Sequence, residues 1–222
     1  MKTALLYSGS VRLAFDSRRH RYVVRECGRT FTVPSVTRIL SAVRPYSPPS
    51  SSTPRGRMAL AFNAYSRSLG TFAHSWIESV LLWQKDRTVL PPPLTGVCGD
   101  AARSCCAWLK WRAANPDLTP AHAELMIYSR RYRFAGTTDA LFLSGGKLVL
   151  FDWKTGAKLH GVYRLQVAAY ASALQEMGAG RVTSARVVRL CRRTSAIEER
   201  TYSAQQLRQA FTRFLRLRKA TA

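Results

Sequence analysis

The sequence predicts an α/β (α+β) fold with the element order αβββαβα behind a small β-rich N-terminal extension. Hydrophobic spacing carries the first part of that expectation, because it switches between the 3.6-residue period of helices and the two-residue alternation of strands. Turn chemistry carries the second: Gly145-Gly146 between two apolar runs is a hairpin signal, and Pro91-Pro92-Pro93 closes a helical stretch. The third is length, since 222 residues suit one domain with an appendage, or at most two small domains.

The extension, residues 1–57, has a short apolar start, Met1–Leu6, that runs into what reads as a strand. It continues with strands over Val11-Phe15, Arg21-Glu26 and Thr30-Val33, then a short helix that Ser35 can cap. It ends in the Pro/Ser-rich stretch Arg44–Arg57, expected to form neither helix nor sheet and to serve as a connector or a basic flap over nucleic acid. The second unit, residues 58–222, opens with an amphipathic helix through Leu60, Ala64, Leu69, Phe72, Trp76, Ile77, Val80 and Leu81, in which Gly70 is a candidate interruption. A second helix over Asp100–Ala114 carries Trp108 and Trp111 on adjacent faces, as core or interface residues rather than base-stacking platforms. Three strands follow over Ala121-Tyr128, Arg133-Ser144 and Lys147-Thr155 as an antiparallel meander, then a helix over Tyr163-Met177, a strand over Val182-Cys191 and a last helix over Ala204-Arg218.

Composition excludes several classes. Lys and Arg number 35 against 12 Asp and Glu, a formal charge of +23, more than solubility requires and suited to a polyanion. At 46% hydrophobic residues the chain is no disordered basic tail. The charge is uneven: residues 1–57 and 181–222 each carry +9, and residues 58–180 carry +5. No run nears the ~20 apolar residues that span a bilayer. The apolar start is too short for a secretory signal, while an Arg-rich mitochondrial presequence is left open. Five cysteines, odd in number and without a CxxC pair, argue against disulfides and a zinc ribbon and for a reducing, intracellular compartment.

With so few acids, their placement is informative. Glu124, Asp139 and Asp152 fall one in each meander strand, and Asp152 ends the apolar run Leu148-Val149-Leu150-Phe151. A carboxylate there is costly unless paired or bound to metal. Alternation puts Asp152 and Lys154 on one strand face and Trp153 on the other. Neighbouring carboxylates repel, and a hard divalent ion such as Mg²⁺ or Mn²⁺ removes the repulsion. Acids plus a lysine suit attack of water on a phosphodiester, with Asp139 and Asp152 on the metal and Lys154 at the transition state. His74 and Glu78 share a helix face, as do Gln166 and Tyr170.

Gly70-x-x-x-His74, Glu124, Gly136-x-x-Asp139, Asp152-x-Lys154 and Gln166-x-x-x-Tyr170, in this order, resemble the RecB-type branch of the PD-(D/E)XK nuclease superfamily. The stretch Val33–Leu40 is similar to that in phage exonucleases and the mitochondrial genome maintenance exonuclease group, so a viral or phage source is among the expectations. The resemblance spans about residues 30–190 and implies a restriction-endonuclease-like αβββαβ core, its central mixed sheet flanked by helices. It implies that His74, Asp139, Asp152 and the Trp153 carbonyl ligate metal, that Lys154 is catalytic, that Glu124 helps bind the metal or a metal-held water, and that Gln166 and Tyr170 brace the site and contact the nucleic-acid backbone. Only Cys191 follows the core, so no iron-sulfur cluster is expected.

The resulting expectation is a Mg²⁺- or Mn²⁺-dependent deoxyribonuclease, an exonuclease on single-stranded or end-containing DNA in replication, recombination or repair. Replication or recombination proteins are expected partners. Arg130, Arg131, Arg164, Arg189, Arg192 and Arg193 are expected phosphate contacts, and Arg186 with the arginines of the last helix could extend them into one basic surface. Two alternatives stand beside it: a catalytically silent nucleic-acid-binding or packaging protein on the same fold, and an RNA-cutting endonuclease.

Overall fold

The computed structural model describes residues 2–17, 19, 21–43, 48–87 and 90–221. Its first four strands, β1 (Lys2–Leu6), β2 (Val11–Asp16), β3 (Arg21–Glu26) and β4 (Arg29–Val33), form an antiparallel sheet in sequence order. Alternation makes one face apolar, and buried Leu6, Val11, Leu13, Tyr22, Val24 and Val33 pack on Met126, Tyr128 and Ala135 of the larger sheet. Two side-chain bonds lock the contact: Tyr7 Oη donates to the Tyr128 carbonyl at 2.8 Å, and Tyr22 Oη lies 2.9 Å from Thr137 Oγ1. The two-residue turn Cys27-Gly28 joins β3 to β4 with φ of 48° and 72°, the doubly positive geometry of a type I′ hairpin.

The short helix α1 (Val36–Leu40) is capped by Ser35, whose Oγ accepts from the Arg38 amide at 3.0 Å. Next comes α2 (Pro54–Asp86), 33 residues and roughly 50 Å long. Two expectations are corrected here. Residues 54–57 are the first turn of a helix, because Thr53 caps it and Pro54 occupies a position where no intrahelical N–H is needed. Of the remaining Pro/Ser stretch, residues 44–47 lie outside the described residues. Gly70 does not break the helix either; a Cβ there would lie 3.2 Å from Thr155 Oγ1, so glycine lets the helix approach the strand that carries the site. The helix stops at Asp86, ahead of the Pro91 run, with Arg87 in the left-handed C-cap geometry.

The helix α3 (Gly99–Ala113) buries Trp108 and Trp111, as read from the sequence. They meet Trp76, Phe142, Phe151 and Trp153 in a cluster of edge-on and stacked rings. Each fully buried aromatic of this kind contributes on the order of ~2–3 kcal/mol, so the cluster fixes α2 and α3 against the sheet.

The large sheet comprises β5 (Thr119–Ser129), β6 (Phe134–Ser144), β7 (Lys147–Lys154), β8 (Val182–Leu190) and β9 (Ile197–Ser203), in that spatial order. β5, β6 and β7 are the expected antiparallel meander, and β8 lies parallel to β7. The crossover between those two runs through α4 (Val162–Glu176). β7 is apolar on both faces because helices cover both: Phe151 and Trp153 face the aromatic cluster, and Leu150 faces α4 and α5 (Ala204–Ala220). β9 is an addition to the predicted order. It carries charged and polar residues on both faces of a sheet edge, where alternation is weak and charge discourages further pairing.

Candidate metal and catalytic site

The site forms where β5, β6 and β7 meet α2 and α4. Asp152, fully buried near the end of β7, is held from two sides. Gln166 Nε2 on α4 donates to its Oδ1 at 3.1 Å, and Lys154 Nζ lies 2.6 Å from its Oδ2. The two-residue strand spacing and the four-residue helix spacing both act as expected, since Gln166 Nε2 also donates to Tyr170 Oη at 3.0 Å. Lys154 is steadied further by the Tyr163 ring, 4.7 Å from its Nζ. Tyr163 was not singled out in the sequence; its position three residues before Gln166, on one helix face, is the signal that could have found it.

Asp139 on β6 is the centre of a second set of contacts. Its Oδ2 accepts the Trp153 amide at 2.7 Å, and its Oδ1 lies 3.3 Å from His74 Nδ1. Glu124, in the interval of β5 opposite Asp139 between the pairs Ala123↔Ala140 and Leu125↔Thr138, has φ of 48°. That left-handed conformation is strained for a residue with a Cβ and is common where a side chain is re-aimed at a functional site. The outcome is that His74, Glu124 and Asp139 each offer one ligand atom within 4.8 Å of the others. Glu124 therefore stands among the candidate ligands, and Asp152 beside them in the grip of Lys154 and Gln166. Trp153 contributes its amide to Asp139, while its ring is buried in the aromatic cluster.

Two glycines of the motifs have steric explanations. Gly70 brings α2 close enough for His74, one turn later, to reach Asp139. A Cβ on Gly136 would lie 2.7 Å from Tyr170 Cε1, so only glycine leaves room for that ring against β6.

The electrostatics are those of a cation site. Burial, reinforced by the Asp139 carboxylate, pushes Glu124 up to about 7, against the pull of Lys2. Burial likewise pushes Asp152 up to about 6; Lys154 opposes this and Asp139 adds to it. Burial also acts on Asp139, but His74, Lys154 and the Trp153 amide outweigh it and hold its carboxyl below the usual range. For His74, burial disfavours the cation and the adjacent Asp139 carboxylate prevails, raising its pKa. Lys154 is raised in the same way: Asp152 and Asp139 overcome its burial. Tyr170 is driven well above its ordinary value by burial.

Two carboxylates and an imidazole nitrogen are a donor set for a hard divalent ion such as Mg²⁺ or Mn²⁺. A buried oxygen, Asp152 Oδ2, accepts no aligned hydrogen bond among the described residues although an ammonium faces it, so it too can serve a cation. The residues fit a metal.

The expected phosphate contacts divide. Arg131 and Arg193 are exposed, and Arg164 is half-buried on the first turn of α4. Arg130 is engaged within the protein, with Glu26 at 2.6 Å, Ser10 Oγ at 2.7 Å and the Tyr7 ring beneath its guanidinium. Arg189 pairs with Glu198 at 2.9 Å, and Arg192 lies over Phe62. The arginines do not make one surface. Arg186 and Arg189 are three residues apart on β8 and so point to opposite faces; Arg186 packs over Phe151 and pairs with Glu199. One residue at the site went unread in the sequence. Lys2 Nζ, from β1, lies 3.3 Å from Glu78 Oε1 and 3.5 Å from Glu124 Oε2, a contact across 122 positions that no local pattern encodes.

A mixed sheet flanked by helices, with His74, acids and Lys154 at one rim, defines a restriction-endonuclease-like core. The sequence model of the PD-(D/E)XK nuclease superfamily matches residues 53–222, and the chain belongs to that superfamily. Among solved structures it is similar to a candidate exonuclease of Eubacterium rectale, at 13% identity and a TM-score of 0.44 over 71% of this chain and 68% of that one. It is also similar to the protein SSO0001, at 13% identity and a TM-score of 0.37 over 56% of this chain and 60% of that one. Among curated proteins none matches the chain.

Proposed function

We propose that the protein is a Mg²⁺- or Mn²⁺-dependent deoxyribonuclease of the RecB-type branch, acting as an exonuclease on single-stranded or end-containing DNA in replication, recombination or repair. One observation carries the reading: the group His74, Glu124 and Asp139 stands beside an Asp152–Lys154 pair that Gln166 orients. A site kept for binding alone has no physical need of buried, mutually repelling carboxylates.

A divalent ion held by His74, Glu124 and Asp139, with Asp152 at its side, would neutralise charge on the scissile phosphate and acidify a water. The protein's own groups do the rest. Gln166 fixes Asp152 through Oδ1 and leaves Oδ2 facing the Lys154 ammonium. Lys154, held by Asp152 and stacked on Tyr163, keeps its ammonium where the attacking oxygen and the phosphate gain negative charge. The Trp153 amide and His74 hold both oxygens of Asp139 in place. Exposed Arg131 and Arg193 and half-buried Arg164 draw in the backbone by salt-dependent attraction. The nuclease unit begins with α2 and its cap Thr53 and takes residues 53–222. The odd cysteine count without a CxxC pair favours a reducing, intracellular compartment, and replication or recombination proteins are the proposed partners.

The test is incubation of wild type and Asp152→Ala with linear single-stranded, linear duplex and circular DNA and with RNA, in Mg²⁺, Mn²⁺ and EDTA. Metal-dependent loss of linear but not circular DNA, abolished in the variant, is the expected result. Cleavage of RNA alone would move the substrate class, and binding without cleavage of any substrate would refute the enzyme reading.

A further inference from the structure

Lys2 lies outside residues 53–222, the segment that matches the nuclease superfamily, so its place at the site is a property of this chain's N-terminal sheet. It opens β1 in a register row that runs Lys2↔Phe15, Phe15↔Tyr22 and Tyr22↔Val33. Tyr22 is buried and its hydroxyl contacts Thr137, two residues before Asp139, so this row is the part of the N-terminal sheet seated at the catalytic rim. From there the Lys2 ammonium reaches Glu78 at 3.3 Å and Glu124 at 3.5 Å. Its side chain is 46% exposed, so solvent and a polyanion both have access to it.

Glu124 is thus claimed twice. It belongs to the group that fits a divalent ion, and it faces an ammonium from a separate sheet. The ammonium at 3.5 Å is near but not locked, and lysine is a compact point charge on a flexible stem, able to leave one oxygen and take another. A unit charge within about 5 Å of a divalent ion in a largely aqueous setting opposes metal binding by about 10-fold in affinity.

We propose that Lys2 is a positioning residue and competing counter-ion of the metal centre. It occupies Glu124 in the metal-free protein, yields that carboxylate to the divalent ion, and then presents its ammonium to a nucleic-acid phosphate next to the one cut. The inference rests on the metal-nuclease reading above. It makes the N-terminal sheet part of the active site.

The experiment follows Mn²⁺ binding to the metal-free full chain by the paramagnetic resonance signal of free Mn²⁺, for wild type, Lys2→Met and Lys2→Arg, each checked for folding by thermal unfolding. Lys2→Met binds Mn²⁺ about 10-fold tighter, and Lys2→Arg, which keeps the charge, stays near wild type. In Ca²⁺, a single-stranded oligonucleotide binds Lys2→Met several-fold more weakly, although its metal is held more firmly. Unchanged or weaker Mn²⁺ binding by Lys2→Met overturns the role of Lys2 and leaves the nuclease reading standing. No Mn²⁺ binding by wild type overturns both. Should Lys2→Met fail to fold, Lys2→Gln takes its place with the same expectations.

Discussion

Removing metal should make the protein's stability fall as pH rises through the neutral range, and Glu124 should be the main cause. Its carboxyl ionises near 4.5 in an unfolded chain and is pushed up to about 7 in the folded one, chiefly by burial. A group whose folded pKa is raised stabilises the fold fully below the unfolded value and loses that contribution as pH climbs through the folded value. The window therefore runs from about pH 4.5 to about pH 7. The difference corresponds to ~3 kcal/mol as a ceiling, and for a chain of this length that is roughly 5–10 °C in Tm. Asp152 and His74, both raised, act with the same sign, whereas Asp139, lowered, acts only at more acid pH. Thermal unfolding in EDTA between pH 5 and 8 measures the loss for wild type and Glu124→Gln, and the difference between the two curves isolates Glu124. The variant should lose markedly less, and saturating Mg²⁺ or Mn²⁺ should restore wild type more at pH 8 than at pH 5. Parallel curves for the two proteins would refute the reasoning.

Other outcomes follow from the same contacts. Lys154→Ala should keep Mn²⁺ binding within a few-fold and lose about 10²-fold or more in turnover, the order seen when one group serving transition-state charge is removed; a matching loss of metal affinity would contradict its assignment. Gly136→Ala should destabilise the fold by about 1–3 kcal/mol, because the new methyl meets the Tyr170 ring at 2.7 Å, and a milder penalty in Gly136→Ala combined with Tyr170→Leu would identify that clash by denaturant unfolding. Gln166→Leu, which removes the donor to Asp152 Oδ1, should lower turnover while leaving DNA affinity near wild type in Ca²⁺.

Much of the site was legible because its groups are spaced by short periods. Asp152 and Lys154 meet by strand alternation, and Gln166 and Tyr170 meet by one helical turn. The meander was equally legible, since a Gly-Gly turn between apolar runs encodes antiparallel pairing locally. What escaped the sequence depends on distant or unfavourable local signals. β9 carries Glu198, Glu199 and Arg200 in an edge strand, so charge conceals its alternation. The arginines of β8 looked free until that strand brought Glu199 to Arg186 and Glu198 to Arg189. The first turn of α2 was concealed by Pro54 and Gly56, which signal a break in isolation but here follow the cap Thr53. Glu124 was expected to assist the metal, but the left-handed backbone that aims it is announced by no residue type, and Lys2 reaches the site only through the docking of a separate sheet.

That docking bears on how the protein survives without its ion. Glu78, Glu124, Asp139 and Asp152 gather at one rim, a costly arrangement in any chain. Lys2, His74 and Lys154 come from three different elements and each faces at least one of these acids at 3.5 Å or less. In the metal-free protein these three groups take over part of the neutralisation that a divalent ion would provide. The fold therefore survives loss of the ion at a reduced stability: EDTA should lower Tm in the pH-dependent manner derived above without unfolding the chain at moderate temperature. The same three groups differ in what metal binding asks of them. On the proposed reading His74 turns a neutral ring nitrogen to the ion and Lys2 releases Glu124, whereas Lys154 faces Asp152, which lies beside the group His74, Glu124 and Asp139 rather than in it. The ammonium proposed to act in catalysis is thus the one of the three that does not face the group His74, Glu124 and Asp139, and an ion held by that group need not displace it.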